Sequence, residues 1–155
     1  MLYSKTCEYA IRALAYMASQ EARGEYTSTA EVKKATGIPG PYLSKVFGVL
    51  VRKSILRAKQ GPGGGVVFAQ SPKEISLLNV IEAIETTELV ERECVMGLAE
   101  CNAKLACPMH DEWKDFKSRM VKKLSHIFIS DLSRSLGLRD FRGLSRAKLK
   151  GWIAA

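Results

Sequence analysis

Apolar residues recur at helical spacing from the start of the chain. Cys7, Ala10, Ile11, Leu14, Met17 and Ala18 fall on one stripe of a helix over about residues 4–20. Ser4 is placed to cap it, and Glu8 sits in the first turn, where a carboxylate suits the helix dipole. Cys7 lies on the stripe and is expected to be a core thiol. Ser28 and Glu31 then have the spacing of a capping box, and Gly37 closes the short helix they open. Ile38-Pro39-Gly40 predicts a tight turn, with Pro41 in the first turn of a third helix. Leu43, Val46, Phe47 and Leu50 give that helix a buried face to about Lys53.

The period then changes from helical to extended. Residues 54–59 predict one strand and 66–69 a second, joined by Gln60-Gly61-Pro62-Gly63-Gly64-Gly65, a turn that glycine makes easily. Two short helices joined by a glycine-containing turn and followed by a hairpin predict a winged helix-turn-helix. A plain helical hairpin is the simpler alternative for the two helices alone. The outer side of the third helix shows Tyr42, Ser44, Lys45, Gly48, Arg52 and Lys53. Ser44 and Lys45 suit the reading of base edges. Arg52, Arg57 and Lys59 suit phosphates, and Tyr42, Gln60 and Gly63 complete a candidate double-stranded DNA surface. The glycine run is not a nucleotide loop: it lacks the GK[ST] ending and leads into a strand.

Ser76 opens a further helix over 77–85, with Leu78, Ile81 and Ile84 expected inward. Beyond residue 110 the apolar period resumes. Trp113, Phe116, Met120, Leu124 and Ile127 predict one continuous helix of about 24 residues, roughly 36 Å long. Such a helix outreaches the domain before it, so its stripe calls for a partner, most simply the same helix of a second copy. The alternative is a helix folded back on its own domain. The expected fold class is mainly α with a small β wing: a winged helix-turn-helix domain plus a long C-terminal dimerisation helix. The expected division is 1–86 for DNA binding, 87–110 as a cysteine-rich loop, 111–136 for dimerisation and 137–155 as a basic tail.

Composition narrows the classes. At 46% hydrophobic and 26% charged, the chain is globular. No run approaches the roughly 20 apolar residues of a membrane span, and the first residues lack the layout of a signal peptide, so a cytoplasmic protein is expected. The net charge of +8 is unevenly distributed. Residues 1–72 hold ten Lys/Arg against four Asp/Glu, 73–112 hold three against nine, and 113–155 hold eleven against three. The two basic parts favour a polyanion, and the acidic middle holds the cysteines. No constellation of catalytic groups is visible, so an enzyme is not expected.

Cys94, Cys101, Cys107 and His110 lie within seventeen residues, spaced C-x6-C-x5-C-x2-H. Thiolates and imidazole suit zinc or iron–sulfur clusters and not magnesium or calcium. Gly97, Asn102 and Pro108 let the chain loop between them. In a reducing compartment, clustered cysteines are ligands or redox centres more often than disulfides. A structural Cys3His zinc site and a metal-free thiol switch remain alternatives to a cluster.

Taken together, these motifs resemble the bacterial winged-helix iron–sulfur transcription regulators (IscR/NsrR-like), the family of the cluster-assembly regulator and the nitric-oxide-sensing repressor. The resemblance covers about residues 1–135. It rests on Tyr3-Ser4, Glu8 to Ala13, Ile38-Pro39, Tyr42-Leu43, the Gly61–Gly65 wing and the three cysteines. It implies a homodimeric DNA-binding regulator, expected to be a repressor, that senses iron–sulfur, redox or nitric-oxide status through a cluster. Cys107-Pro108-Met109-His110 is similar to the assembly regulator, whose fourth ligand is a histidine at this place. That implies His110 and a [2Fe–2S] cluster. Other members use an acidic residue near the start of the first helix, which Glu8 matches, and that would go with a [4Fe–4S] cluster. Two features differ from the assembly regulator. The first cysteine interval is one residue longer, and Gln60 stands where that protein has a minor-groove arginine.

Overall fold

The computed structural model describes residues 3–20, 26–85 and 107–136. Its elements are α1 (Lys5–Ser19), α2 (Thr29–Thr36), α3 (Gly40–Arg52), β1 (Leu56–Lys59), β2 (Gly65–Phe68), α4 (Leu77–Ile84), α5 (His110–Ser125) and α6 (Ile129–Leu136).

The Ser4 hydroxyl starts α1 by accepting the Cys7 N–H at 3.2 Å. The helix is then buried on more than the single stripe expected: Ala13 and Ala15 are enclosed along with Cys7, Ala10, Ile11, Leu14 and Met17. Alanine at these positions lets neighbours approach from several sides, and α1 packs against α2, α3, α4 and α6 as the central helix. Ser28 caps α2 by accepting the Glu31 N–H, while the Glu31 carboxylate takes the Tyr16 hydroxyl, 3.2 Å. Gly37 ends α2 in the left-handed region at φ 68°. Thr36, fully buried, satisfies its hydroxyl locally by donating to Val32 O and accepting from the Ile38 N–H.

The buried face of α3 is Leu43, Val46, Phe47 and Leu50, as its spacing predicts. Burial of each such side chain stabilises the fold by about 1.5–3 kcal/mol. The chain leaves α3 through Ser54, whose φ of 58° is a left-handed conformation uncommon for a non-glycine residue. β1 and β2 then pair antiparallel, with Leu56 opposite Phe68 and Lys59 opposite Gly65. Thr27 adds an antiparallel bridge to Val66, each N–H bonding the other's carbonyl at 2.9 Å. A Cβ at Gly65 would run into the Thr27 carbonyl, so only glycine permits this close pairing. In α4 a full capping box joins Ser76 and Asn79. The buried residues there are Val80 and Ile81, so Val80 takes the place expected of Leu78.

The C-terminal part departs from the expected single helix. α5 ends at Ser125 and α6 begins at Ile129. Between them the backbone pairs with the approach to α4: Leu77 N–H bonds Ile127 O at 2.8 Å, and Ile129 N–H bonds Ile75 O at 2.9 Å. The β-branched Ile127 suits this extended stretch, and Asp131 accepts the Phe128 N–H to start the new helix. That bond, and then Arg134, holds the Asp131 carboxyl below its usual range. α6 folds back onto α1, with Ile129 fully buried and Leu132 against the core. The residues beyond 136, including the basic tail, lie outside the described residues.

Candidate nucleic-acid interface and ligand turn

With one side of α3 in the core, its other side faces outward. Tyr42, Ser44, Lys45, Arg52 and Lys53 are exposed. Tyr42 is steadied edge-to-face against Tyr9 of α1, ring centroids 5.6 Å apart. The Arg52 guanidinium lies alongside Gly48, with Nη1 3.6 Å from where a Cβ would stand. Across the turn, Arg57, Lys59, Gln60 and Gly63 are all exposed on the wing. Gly63, at φ 68°, helps turn the tip. Every residue proposed from the sequence for DNA contact is therefore outward-facing and lies on either α3 or the wing. Tyr26 is a further residue on this side: it precedes α2, is partly exposed, and has the Lys59 ammonium 5.8 Å from its ring centroid. No periodic pattern marks it, because it only precedes the one-residue bridge at Thr27 and lies in no strand.

Of the expected metal ligands, Cys107 and His110 are described, and Cys94 and Cys101 lie outside the described residues. Cys107 is half-buried. Pro108 and Met109 turn the chain so that the His110 N–H bonds Cys107 O at 3.0 Å, and His110 is the first residue of α5. A thiol and an imidazole thus stand on one turn. Among the described residues no group of three or more possible metal-binding side chains comes together. The donor types present, soft sulfur and borderline nitrogen, fit iron–sulfur or zinc chemistry.

The rival ligands are differently placed. The Glu8 carboxylate is engaged by Lys5 Nζ at 2.7 Å and Arg12 Nη1 at 3.5 Å. Arg12 in turn donates to Thr36 O at 2.6 Å. Cys7 is fully buried, and burial, followed by the nearby Glu85 charge, pushes its thiol up to about 12. It is a core thiol, as its place on the apolar stripe predicts. Glu85 itself accepts the Ser4 N–H at 2.9 Å, so the last residue described before the cysteine segment is clipped to the N-cap of α1. This contact joins residues 81 positions apart, so no local pattern signals it.

α5 has no buried residue. Trp113 and Phe116 stack on each other with centroids 5.7 Å apart, and Phe116 remains exposed. The Trp113 indole N–H is shielded from water and has no hydrogen-bond acceptor among the described residues. Leu124 alone reaches the core of its own domain. No helix among the described residues is long and apolar enough to cross a membrane.

Comparison with known proteins follows the same outline. The family model Rrf2, described as an iron-dependent transcriptional regulator, matches residues 3–135. A protein of Aquifex aeolicus described as an HTH-type transcriptional regulator is 31% identical over 134 residues, covering 85% of this chain and 91% of that one. The HTH-type transcriptional regulator IscR of Photobacterium profundum is 27% identical over 135 residues, covering 87% and 77%. Among solved structures, CymR, the global cysteine regulator of B. subtilis, matches with a TM-score of 0.71 at 17% identity, over 85% of this chain and 95% of that one. T. potens IscR matches with a TM-score of 0.67 at 18% identity, over 94% of each chain. At these identities the two structures speak to the fold, which is a winged helix.

Proposed function

This chain belongs to the Rrf2 family of iron-dependent transcriptional regulators, and on that premise we propose that it is a homodimeric, cytoplasmic repressor whose cysteine segment holds an iron–sulfur cluster. The family makes it a DNA-binding transcriptional regulator and not an enzyme. Ser44 and Lys45 read base edges in a major groove. Tyr42, Arg52, Arg57, Lys59, Gln60 and Gly63 contact the backbone around it. Residues 1–86 form the DNA-binding unit, 87–110 the ligand loop, 111–136 the dimer-forming part and 137–155 a basic tail.

Cys94, Cys101 and Cys107 supply three thiolates and His110 the fourth ligand, which favours [2Fe–2S] over [4Fe–4S]. The turn from Cys107 to His110 supports this reading, because a backbone bond of 3.0 Å closes it directly before α5 and keeps the two residues within one turn of chain. Glu8 is disfavoured: as a ligand it would have to leave both Lys5 and Arg12. A cluster held there supplies redox chemistry, and a histidine ligand raises its potential relative to four thiolates.

The residues at the two ends of that segment link it to the proposed DNA surface. Residues 86–106 run between two anchors, Glu85 on the N-cap of α1 and Cys107 at the start of α5. α5 packs on α4, and the 127–129 segment bonds the approach to α4. Ligand binding by the 87–110 segment would therefore act on α5 and α1 together, and α1 carries Tyr9, against which Tyr42 rests. The ligand assignment is tested by substitution in anaerobically purified protein. His110→Ala loses or destabilises the visible spectrum, His110→Cys keeps it at a lowered potential, and Glu8→Ala leaves it nearly unchanged. An intact spectrum in His110→Ala with collapse in Glu8→Ala reverses the assignment.

A further inference from the structure

The wing sheet is three segments wide at Val66, which faces Ala58 on one side and Thr27 on the other. Side chains alternate across a sheet, and residues directly opposite share a face. Thr27 and Val66 are buried, at 9% and 5% exposure, so their face is the inner one. Tyr26, Gly65, Val67, Arg57 and Lys59 then share the outer face. Lys59 stands opposite Gly65, so on that rung no side chain separates the Lys59 strand from the segment holding Tyr26. The lysine reaches across, and its ammonium lies over the Tyr26 ring, 5.8 Å from the centroid. This is within the range of a cation–π contact.

We propose that Tyr26 is a positioning residue of the DNA interface, holding the Lys59 ammonium on the outer face of the wing for a phosphate. The inference rests on the DNA-binding reading of α3 and the wing. Lys59 is the last charged residue before the tip, because Gln60 and the glycines that follow carry no charge. A lysine is a point charge on a flexible stem that loses rotamer freedom when it engages a phosphate. Docking on a ring fixed by the Thr27–Val66 bridge removes part of that cost before DNA arrives. Tyr26 is itself 38% exposed, so its rim is accessible from the same side.

A double-mutant cycle tests this with a fluorescently labelled random-sequence duplex, read by anisotropy at low salt. Tyr26→Leu, which keeps apolar bulk without a π face, is expected to weaken binding about threefold. Tyr26→Phe is expected to match the wild type. In a Lys59→Ala background, Tyr26→Leu is expected to have no further effect, because the ring has nothing left to hold. Equal loss from Tyr26→Leu in both backgrounds, as a disordered wing would give, overturns the inference. So does no loss at all, or a loss in Tyr26→Phe equal to that in Tyr26→Leu. If the wild-type chain binds no duplex, the DNA-binding reading falls too. If it binds with steep salt dependence but the cycle shows no coupling, only the role of Tyr26 falls.

Discussion

In α3, Leu43, Val46, Phe47 and Leu50 are at most 4% exposed. In α5, Trp113, Phe116 and Met120 recur at the same helical spacing, and no residue of the helix is buried. Both patterns are amphipathic, although α3 is the more apolar helix, and they differ in what lies opposite. α3 is packed by α1, α2, α4 and β1, so its own chain covers the stripe. α5 starts away from that core and reaches it only near its far end, through Leu124. Hydrophobic periodicity therefore locates a helix face but does not say whether the same chain covers it. Where it does not, a second copy is the simplest cover for an apolar face.

This contrast predicts different failures on the two helices. Leu50→Ala leaves a cavity in a fully packed site and should cost about 2–5 kcal/mol of stability by denaturant unfolding. A cost under about 1 kcal/mol would mean that α3 is less enclosed than its burial indicates. Met120→Glu puts a charge on the half-exposed stripe of α5. It should leave helix content nearly unchanged by circular dichroism while light scattering shows the mass falling from dimer to monomer. Unchanged mass breaks the proposed dimer. Leu124→Glu, by contrast, should act as a folding mutation, because Leu124 belongs to the core.

Two smaller effects sharpen the same contrast. The buried Cys7 holds its proton to about pH 12 instead of 9. The folded state then binds more protons than the unfolded state in that window, and stability falls as pH rises through it. The loss is on the order of a few kcal/mol by pH 12 and absent at neutral pH. Cys7→Ala should remove that alkaline slope, and an unchanged slope shows that another group causes it. At the outer end of the chain, the folded carboxyl of Asp131 titrates below its usual range. Its contribution is present above the unfolded pKa and is lost as pH falls through the folded one. The group is exposed, so Asp131→Asn should cost less than about 1 kcal/mol and act locally on α6. Hydrogen exchange should quicken at residues 129–133, and uniform exchange would sink the capping role.

Much of the winged-helix half was legible because its signals are local. Ser28, Gly37, Pro41 and the glycine-tipped hairpin each act within a few residues, and the α3 stripe is regular. The misses are long-range. Nothing near Ser125 announces a break: it comes from Ile127 and Ile129 bonding residues 75–77. The burial of Ala13 and Ala15 depends on how many helices crowd α1. Tyr26 and Glu85 act through partners 33 and 81 positions away. On the ligand side, Cys107 and His110 are neighbours in sequence and their turn was predictable. Cys94 and Cys101 lie outside the described residues, so only chemistry joins them to the site.

The cluster is the central claim, and metal and sulfide analysis of anaerobically purified protein tests it most directly. The account predicts brown protein with visible charge-transfer absorption and about two irons and two sulfides per chain. Colourless protein with about one zinc per chain would contradict it and leave a winged-helix regulator with a structural Cys3His site.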